Sequence, residues 1–268
     1  MSVIDTDVDK WDRGTTEHIV GLTRPIVKRY FRSEVRGLDR LPEGPSLVVA
    51  NHSGGMLTFD LSVFAVDYYD TYGYDRPLYA LAFDTIFAGP AADFFRRTGV
   101  IRATRENAAK ALDAGGVVLV FPGGDFDVYR PTLAETVVDF DGRTGYITTA
   151  QEAGVPIVPA VSIGGQESQL FLSRGQWLSR LLRLTKFERK FFRTNILPIT
   201  FGFPFGLSVL APMNMPLPTK IVTEVLEPIH LDRVGIESDV KRLDAHVRWV
   251  MQRGLKKLAS QRHFPILG

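Results

Sequence analysis

The chain contains no cysteine. That excludes a disulfide framework and any thiolate metal site, and it leaves the redox compartment open, a reducing cytosol being compatible. The opening MSVIDTDVDKWDR lacks the basic and apolar blocks of a secretory signal, so export is not expected. Long unbroken apolar runs are missing as well. The most apolar window, Ile196 to Pro218, is interrupted by Pro198, Pro204, Pro212, Pro216 and Pro218; it reads as strand and loop dipping into a membrane interface, with a membrane span as the weaker alternative. No Pro/Ser/Gly-rich linker and no fixed-period repeat divides the sequence, so residues 1–268 are expected to form one domain. Excess charge is also scarce. A formal net charge of +2 is too mild to imply nucleic acid unless the basic residues cluster.

They do cluster in one place. Between Arg174 and Arg193 lie Arg180, Arg183, Lys186, Arg189 and Lys190 against a single acid, Glu188, interleaved with Trp177, Leu181, Leu182, Phe187, Phe191 and Phe192. This segment, 174–193, has the composition of a helix lying on an anionic membrane surface, the ordinary surface helix being the alternative. Elsewhere the 45% hydrophobic composition is enough for a sizeable core.

Hydrophobic periodicity organises the rest. An amphipathic helix is predicted over about Thr15–Ser33, followed by a strand in EGPSLVVAN. Helices are predicted in LTFDLSVFAVDYY, AGPAADFFRRTG, TRENAAKALDAGG and GRTGYITTAQEAG. Between them, PLYALA, VI, VVLVFPGG and VPIVPAVSIGG read as strands, with a late strand in TKIVTEVLEPI and a closing helix over about Glu237–Gln261. Short apolar runs separated by helices imply parallel strands with crossovers, hence an α/β fold: a mostly parallel sheet flanked by helices. In such sheets ligands bind at the carboxyl ends of the strands. Three strand ends there offer His52, the pair Gly123 and Gly124, and the pair Gly164 and Gly165. A histidine can take a proton from an alcohol, and glycines let backbone N–H groups approach an oxyanion or a phosphate.

Four blocks, in order, resemble the glycerolipid acyltransferases of the lysophosphatidic acid acyltransferase superfamily. NHSGGMLTFD is similar to the family's Asn-His followed by four residues and Asp. GVIRATR looks like its Gly-x-Ile-x-x-x-Arg, VFPGGDFD stands at its Phe-Pro-Glu-Gly-Thr, and VPIVPAV matches its Val-Pro-x-x-Pro. The blocks span about Val48 to Gly165, somewhat less than half of the chain. The resemblance implies an acyltransferase-like α/β fold and transfer of an acyl group from an acyl thioester, delivered by coenzyme A or acyl carrier protein, to a hydroxyl of a glycerolipid or lysophospholipid. It further implies His52 as general base, Arg102 and Arg105 as phosphate contacts, and no metal and no bound cofactor; the basic segment 174–193 adds the expectation of peripheral attachment to the cytoplasmic face of a membrane.

Two departures stand out. Leu57 occupies the usual Asp position, so the carboxylate serving His52 is assigned to Asp60, with Gly54 and Gly55 absorbing the insertion as a bulge. Gly123 replaces the usual Glu, which looks more like relatives of the diacylglycerol acyltransferases. Backbone N–H groups near Gly123 and Gly124 are then expected to steady the oxyanion. Arg130 is expected either to pair with an acid or to touch substrate phosphate, and Asp125 and Asp127 do not form a metal pattern. Two other readings are distinct in kind. AVSIG, with Ser162, is a variant nucleophile elbow that would need His230, His246 or His263 for an esterase or thioesterase; the alternative is a lipid-binding module without catalysis.

Overall fold

The computed structural model describes residues 6–53, 57–182, 196–231, 239–262 and 264. In chain order the elements are α1 (Arg13–Pro25), β1 (Glu34–Arg36), β2 (Ser46–Ala50), α2 (Phe59–Tyr72), β3 (Leu78–Ala82), α3 (Ala92–Arg97), β4 (Val100–Arg102), α4 (Arg105–Asp113), β5 (Val117–Val120) and α5 (Gly124–Val128). Then come α6 (Gly145–Ala153), β6 (Ile157–Ile163), α7 (Gly165–Ser168), β7 (Leu170–Ser173), α8 (Gln176–Leu181), β8 (Ile199–Gly202), β9 (Gly206–Val209), β10 (Val222–Val225) and a closing helix, Val240–Ser260.

Seven strands form the central sheet in the order β1-β10-β6-β2-β5-β3-β4, parallel except where β10 runs antiparallel to β6. The central strands β2 and β6 are buried along their whole length, as parallel strands covered on both faces must be. Their side chains alternate between two cores. Leu47 and Val49 face the layer containing Leu112 of α4, Ile147 of α6 and Val247 and Met251 of the closing helix, whereas Val48 and Ala50 face Val20 of α1 and Val63 and Val66 of α2. Among the described residues no helix is long and apolar enough to cross a membrane.

Three boundaries differ from the sequence reading. The first helix begins at Arg13, where Asp12 accepts from the Thr15 N–H at 2.8 Å. It gives way after Pro25 to a wider π turn, Ile26–Tyr30, because proline supplies no N–H to continue the ladder. The closing helix starts at Val240 behind an Asp239 cap, and Glu237 lies outside the described residues. Of the basic segment, Gln176–Leu181 is helical, and 183–193 lies outside the described residues.

The window Ile196–Pro218 supplies β8 and β9 of a separate antiparallel sheet, β7-β8-β9. The turn from β6 into α7 is tight. Gly164 has φ +96°, and a Cβ there would sit 2.1 Å from the Lys220 carbonyl oxygen. Gly164→Ala is therefore expected to cost at least about 2 kcal/mol, since left-handed strain alone costs ~1–3 kcal/mol. Urea denaturation alongside Gly89→Ala, whose added Cβ would meet nothing within 4 Å, checks this; equal losses would contradict it.

Candidate active site

Strand β2 ends at Ala50 and runs out into Asn51 and His52. Asn51 has left the ladder, but its side chain continues it: Nδ2 donates to the Ser162 carbonyl at 2.9 Å and Oδ1 accepts from the Ser162 N–H at 2.8 Å. The end of β2 is thereby clamped to β6, and the next residue is held in place.

The structure brings His52 and Asp60 together, with Nδ1 and Oδ2 2.7 Å apart. The helix carrying Asp60 begins only at Phe59, after Thr58 in the left-handed region at φ 42°. That late start answers the geometric objection to an acid eight residues after the histidine, because Asp60 falls in the first turn. Gly54 and Gly55 lie outside the described residues. Asp60 is fixed on every side: Oδ2 also accepts from the Ser53 N–H at 2.7 Å and Oδ1 from the Leu61 N–H at 2.9 Å. An ionised carboxylate can only accept, so the imidazole proton sits on Nδ1 and the lone pair on Nε2. The ring stacks on Phe121 with centroids 4.2 Å apart.

A second carboxylate holds the histidine from behind. The His52 N–H donates to Asp127 Oδ2 at 2.5 Å, and Asp127 Oδ1 pairs with Arg130 Nη1, both side chains being wholly enclosed. Burial pushes the Asp127 carboxyl up, opposed first by the Arg130 charge and then by the His52 N–H. Gln166 Nε2 donates to the Asp127 and Val128 carbonyls at 3.0 Å each. This clamp explains Gly123. A Cβ at that position would lie 2.4 Å from Asp127 Cβ, so a glutamate there and the Asp127 clamp exclude each other.

The remaining expected site residues separate. A cavity of about 490 Å³ is lined by His52, Arg105, Gly124, Asp125 and Arg143 among mainly apolar side chains such as Leu61, Leu81, Ile86 and Phe95. Arg105 stands exposed on it, Nη1 3.7 Å from Glu152. Arg102 does not line the cavity; its N–H donates to Asp7 at 3.1 Å and its guanidinium lies 5.7 Å from the centre of the Phe87 ring. Arg130 lies behind His52, so of its two expected roles the structure supports pairing with an acid, and full burial removes it from substrate contact. The Gly124 N–H donates to the Phe121 carbonyl at 3.0 Å, so the oxyanion role expected of that N–H gives way to a turn. Arg143 was not anticipated. It donates to the Gly123 carbonyl at 2.8 Å and to Asp125 Oδ1 at 3.0 Å, and so braces the glycine pair.

Ser162 lies within β6 with its hydroxyl accepting from Thr223 Oγ1 at 3.1 Å. His246 stacks on Trp249 of the closing helix, His230 lines a different pocket beside Pro156, and His263 lies outside the described residues. Among the described residues the elbow reading therefore lacks both a turn and a base.

Comparison with known proteins gives a consistent picture. Residues 32–163 match the family model described as Acyltransferase. An uncharacterized protein of Mycobacterium tuberculosis is 31% identical over 249 residues, 90% of this chain and 65% of that protein. A mouse protein named "DGAT1/2-independent enzyme synthesizing storage lipids" is 25% identical over 194 residues, 72% of this chain and 55% of that protein. The chain thus spans just under two thirds of the mycobacterial relative. Among solved structures, the 1-acyl-sn-glycerophosphate (LPA) acyltransferase PlsC from Thermotoga maritima superposes with a TM-score of 0.53 at 18% identity, covering 91% of this chain and 81% of that one; it shares the α/β fold.

Proposed function

Because residues 32–163 match the acyltransferase family model, we propose that this protein transfers an acyl group from an acyl thioester to a hydroxyl of a lipid acceptor, with His52 as general base. The observation that carries the reading is the oriented His52 and Asp60 pair on an apolar cavity. The acceptor hydroxyl gives its proton to His52 Nε2 while its oxygen attacks the thioester carbonyl. Asp60 holds the ring in the required tautomer and steadies the imidazolium that forms. The tetrahedral oxyanion collapses, the C–S bond breaks, and the imidazolium returns the proton to the departing thiolate. Coenzyme A or an acyl carrier protein serves as donor.

The acceptor is a glycerolipid or lysophospholipid whose tail enters the apolar cavity, with Arg105 at its margin to meet a phosphate. The glycine pair, and the storage-lipid synthesis for which the mouse relative is named, favour an acceptor beyond simple lysophosphatidate. Peripheral attachment at the cytoplasmic face of a membrane would bring acceptor and enzyme together.

The test is incubation of the purified protein with acyl-coenzyme A or acyl carrier protein and a panel of mono- and diacylglycerols and lysophospholipids, with products read by mass spectrometry. No acylated product from any pair would end the proposal. Asp60→Asn is expected to lower turnover by about a hundredfold or more, within the ~10²–10⁴ that a positioned general base contributes, since the amide can present its N–H to Nδ1 and favour the wrong tautomer; unchanged turnover in a folded variant would remove Asp60 from the mechanism.

A further inference from the structure

In the small sheet the usual sidedness is reversed. A sheet with one face in water places its polar residues outward. Here the face carrying Thr200 and Ser208 turns inward: their hydroxyls pair at 2.9 Å, and the buried Asn214 side chain donates to Ser208 Oγ at 3.2 Å. The opposite face carries the cross-strand pairs Phe201 with Leu207 and Ile199 with Val209, and Phe201 and Leu207 are 53% and 64% exposed. The hairpin tip adds Phe203 at 73% and Phe205 at 53%. The tip is held rather than loose: the Met215 N–H donates to the Phe203 carbonyl at 2.8 Å and the Phe205 N–H to Asn214 Oδ1 at 3.1 Å.

We propose that the β8–β9 hairpin is a lipid-insertion device that seats the protein on an anionic bilayer; the choice of a bilayer rests on the lipid-acceptor reading. Charge complementarity favours this occupant. Between Gln169 and Thr223 the sequence has one acid, Glu188, against Arg174, Arg180, Lys220 and five Lys or Arg within Arg183–Arg193, the pairing of apolar insertion with basic headgroup contacts that an anionic surface selects. The apolar surface also continues beyond the hairpin. Met215 is 60% exposed, and the exposed Tyr30 donates its hydroxyl to the Pro216 carbonyl at 2.6 Å. The sheet adjoins the active-site loop, where Arg174 Nε donates to the Phe126 carbonyl at 2.8 Å. The small sheet thereby reaches the loop whose Asp125 and Val128 line the cavity.

The experiment is flotation of the full chain with phosphatidylcholine vesicles containing phosphatidylglycerol. Phe203→Ser with Phe205→Ser should lower partitioning roughly a hundredfold, about tenfold for each phenylalanine removed from lipid. Trp249→Ser, an exposed aromatic on the closing helix, should change it little. Independently, Phe203→Trp should be quenched by brominated acyl chains. Turnover of a short-chain soluble acceptor should persist in the hairpin variant, so loss of vesicle binding is separable from failure of the catalytic reading. Undiminished flotation of the double variant, or an unquenched Trp, would overturn the inference. So would a wild-type dimer that the double substitution dissociates, because a second copy would then cover this face.

Discussion

His52→Ala is expected to lower acyl transfer on the order of 10³-fold, within the ~10²–10⁴ that a positioned general base contributes. The ring is held by a carboxylate on Nδ1, an aromatic face and a backbone clamp, so its Nε2 needs no reorganisation before it accepts a proton. Alanine removes the base and leaves the backbone N–H on Asp127. The loss should therefore appear in kcat at nearly constant stability, measured by single-turnover kinetics beside thermal unfolding. A folded His52→Ala protein with turnover within a few-fold of wild type would end the general-base mechanism.

Asp127→Ala is expected to destabilise the fold by about 3–5 kcal/mol, the range for breaking an enclosed ion pair from one side. Arg130 would be left with its charge uncompensated; the Val137 carbonyl, 2.6 Å from Nη1, would remain its acceptor. Asp127→Asn keeps an oxygen for the His52 N–H and should lose less than Asp127→Ala. The double substitution Asp127→Ala with Arg130→Leu should recover much of the stability, because no lone charge remains. Urea denaturation of the series decides: a double variant no more stable than Asp127→Ala alone would mean that the stranded charge is not the cause.

The elements set by periodicity were readable because both faces of the central sheet are covered. SLVVA and IVPAVSI are continuous apolar runs, and only a strand buried on both sides needs that. The pairing of His52 with Asp60 was readable through the resemblance, although its geometry depends on a helix start at Phe59 that composition does not announce. Asp127 was not readable as a clamp. A carboxylate three positions after Gly124 looks like a solvated turn residue, and its partner, the backbone N–H of His52 just past the end of β2, leaves no mark in the sequence. Arg143 went unnoticed for a similar reason, since its acceptors are mostly carbonyls. The small sheet was hidden because hydropathy counts Phe201 and Leu207 as apolar whether they face protein or not, and sidedness emerges only from the pairing register.

The pairing of β1 with β10 also has a kinetic side. Glu34 meets Val222 across that ladder, a separation of roughly 190 residues, and the cost of closing so long a loop must be met before the contact gives anything back. During synthesis at about 5–20 residues per second, β1 would wait on the order of ten to forty seconds for its partner strand to be made. Strand β6 is made about sixty residues ahead of β10, so for roughly three to twelve seconds at the end of that interval its edge lacks β10 and is open to other chains. Nascent chains halted before Val222 should therefore engage chaperones and aggregate more readily than chains carrying β10, a difference that ribosome-bound truncations at either side of β10 would expose.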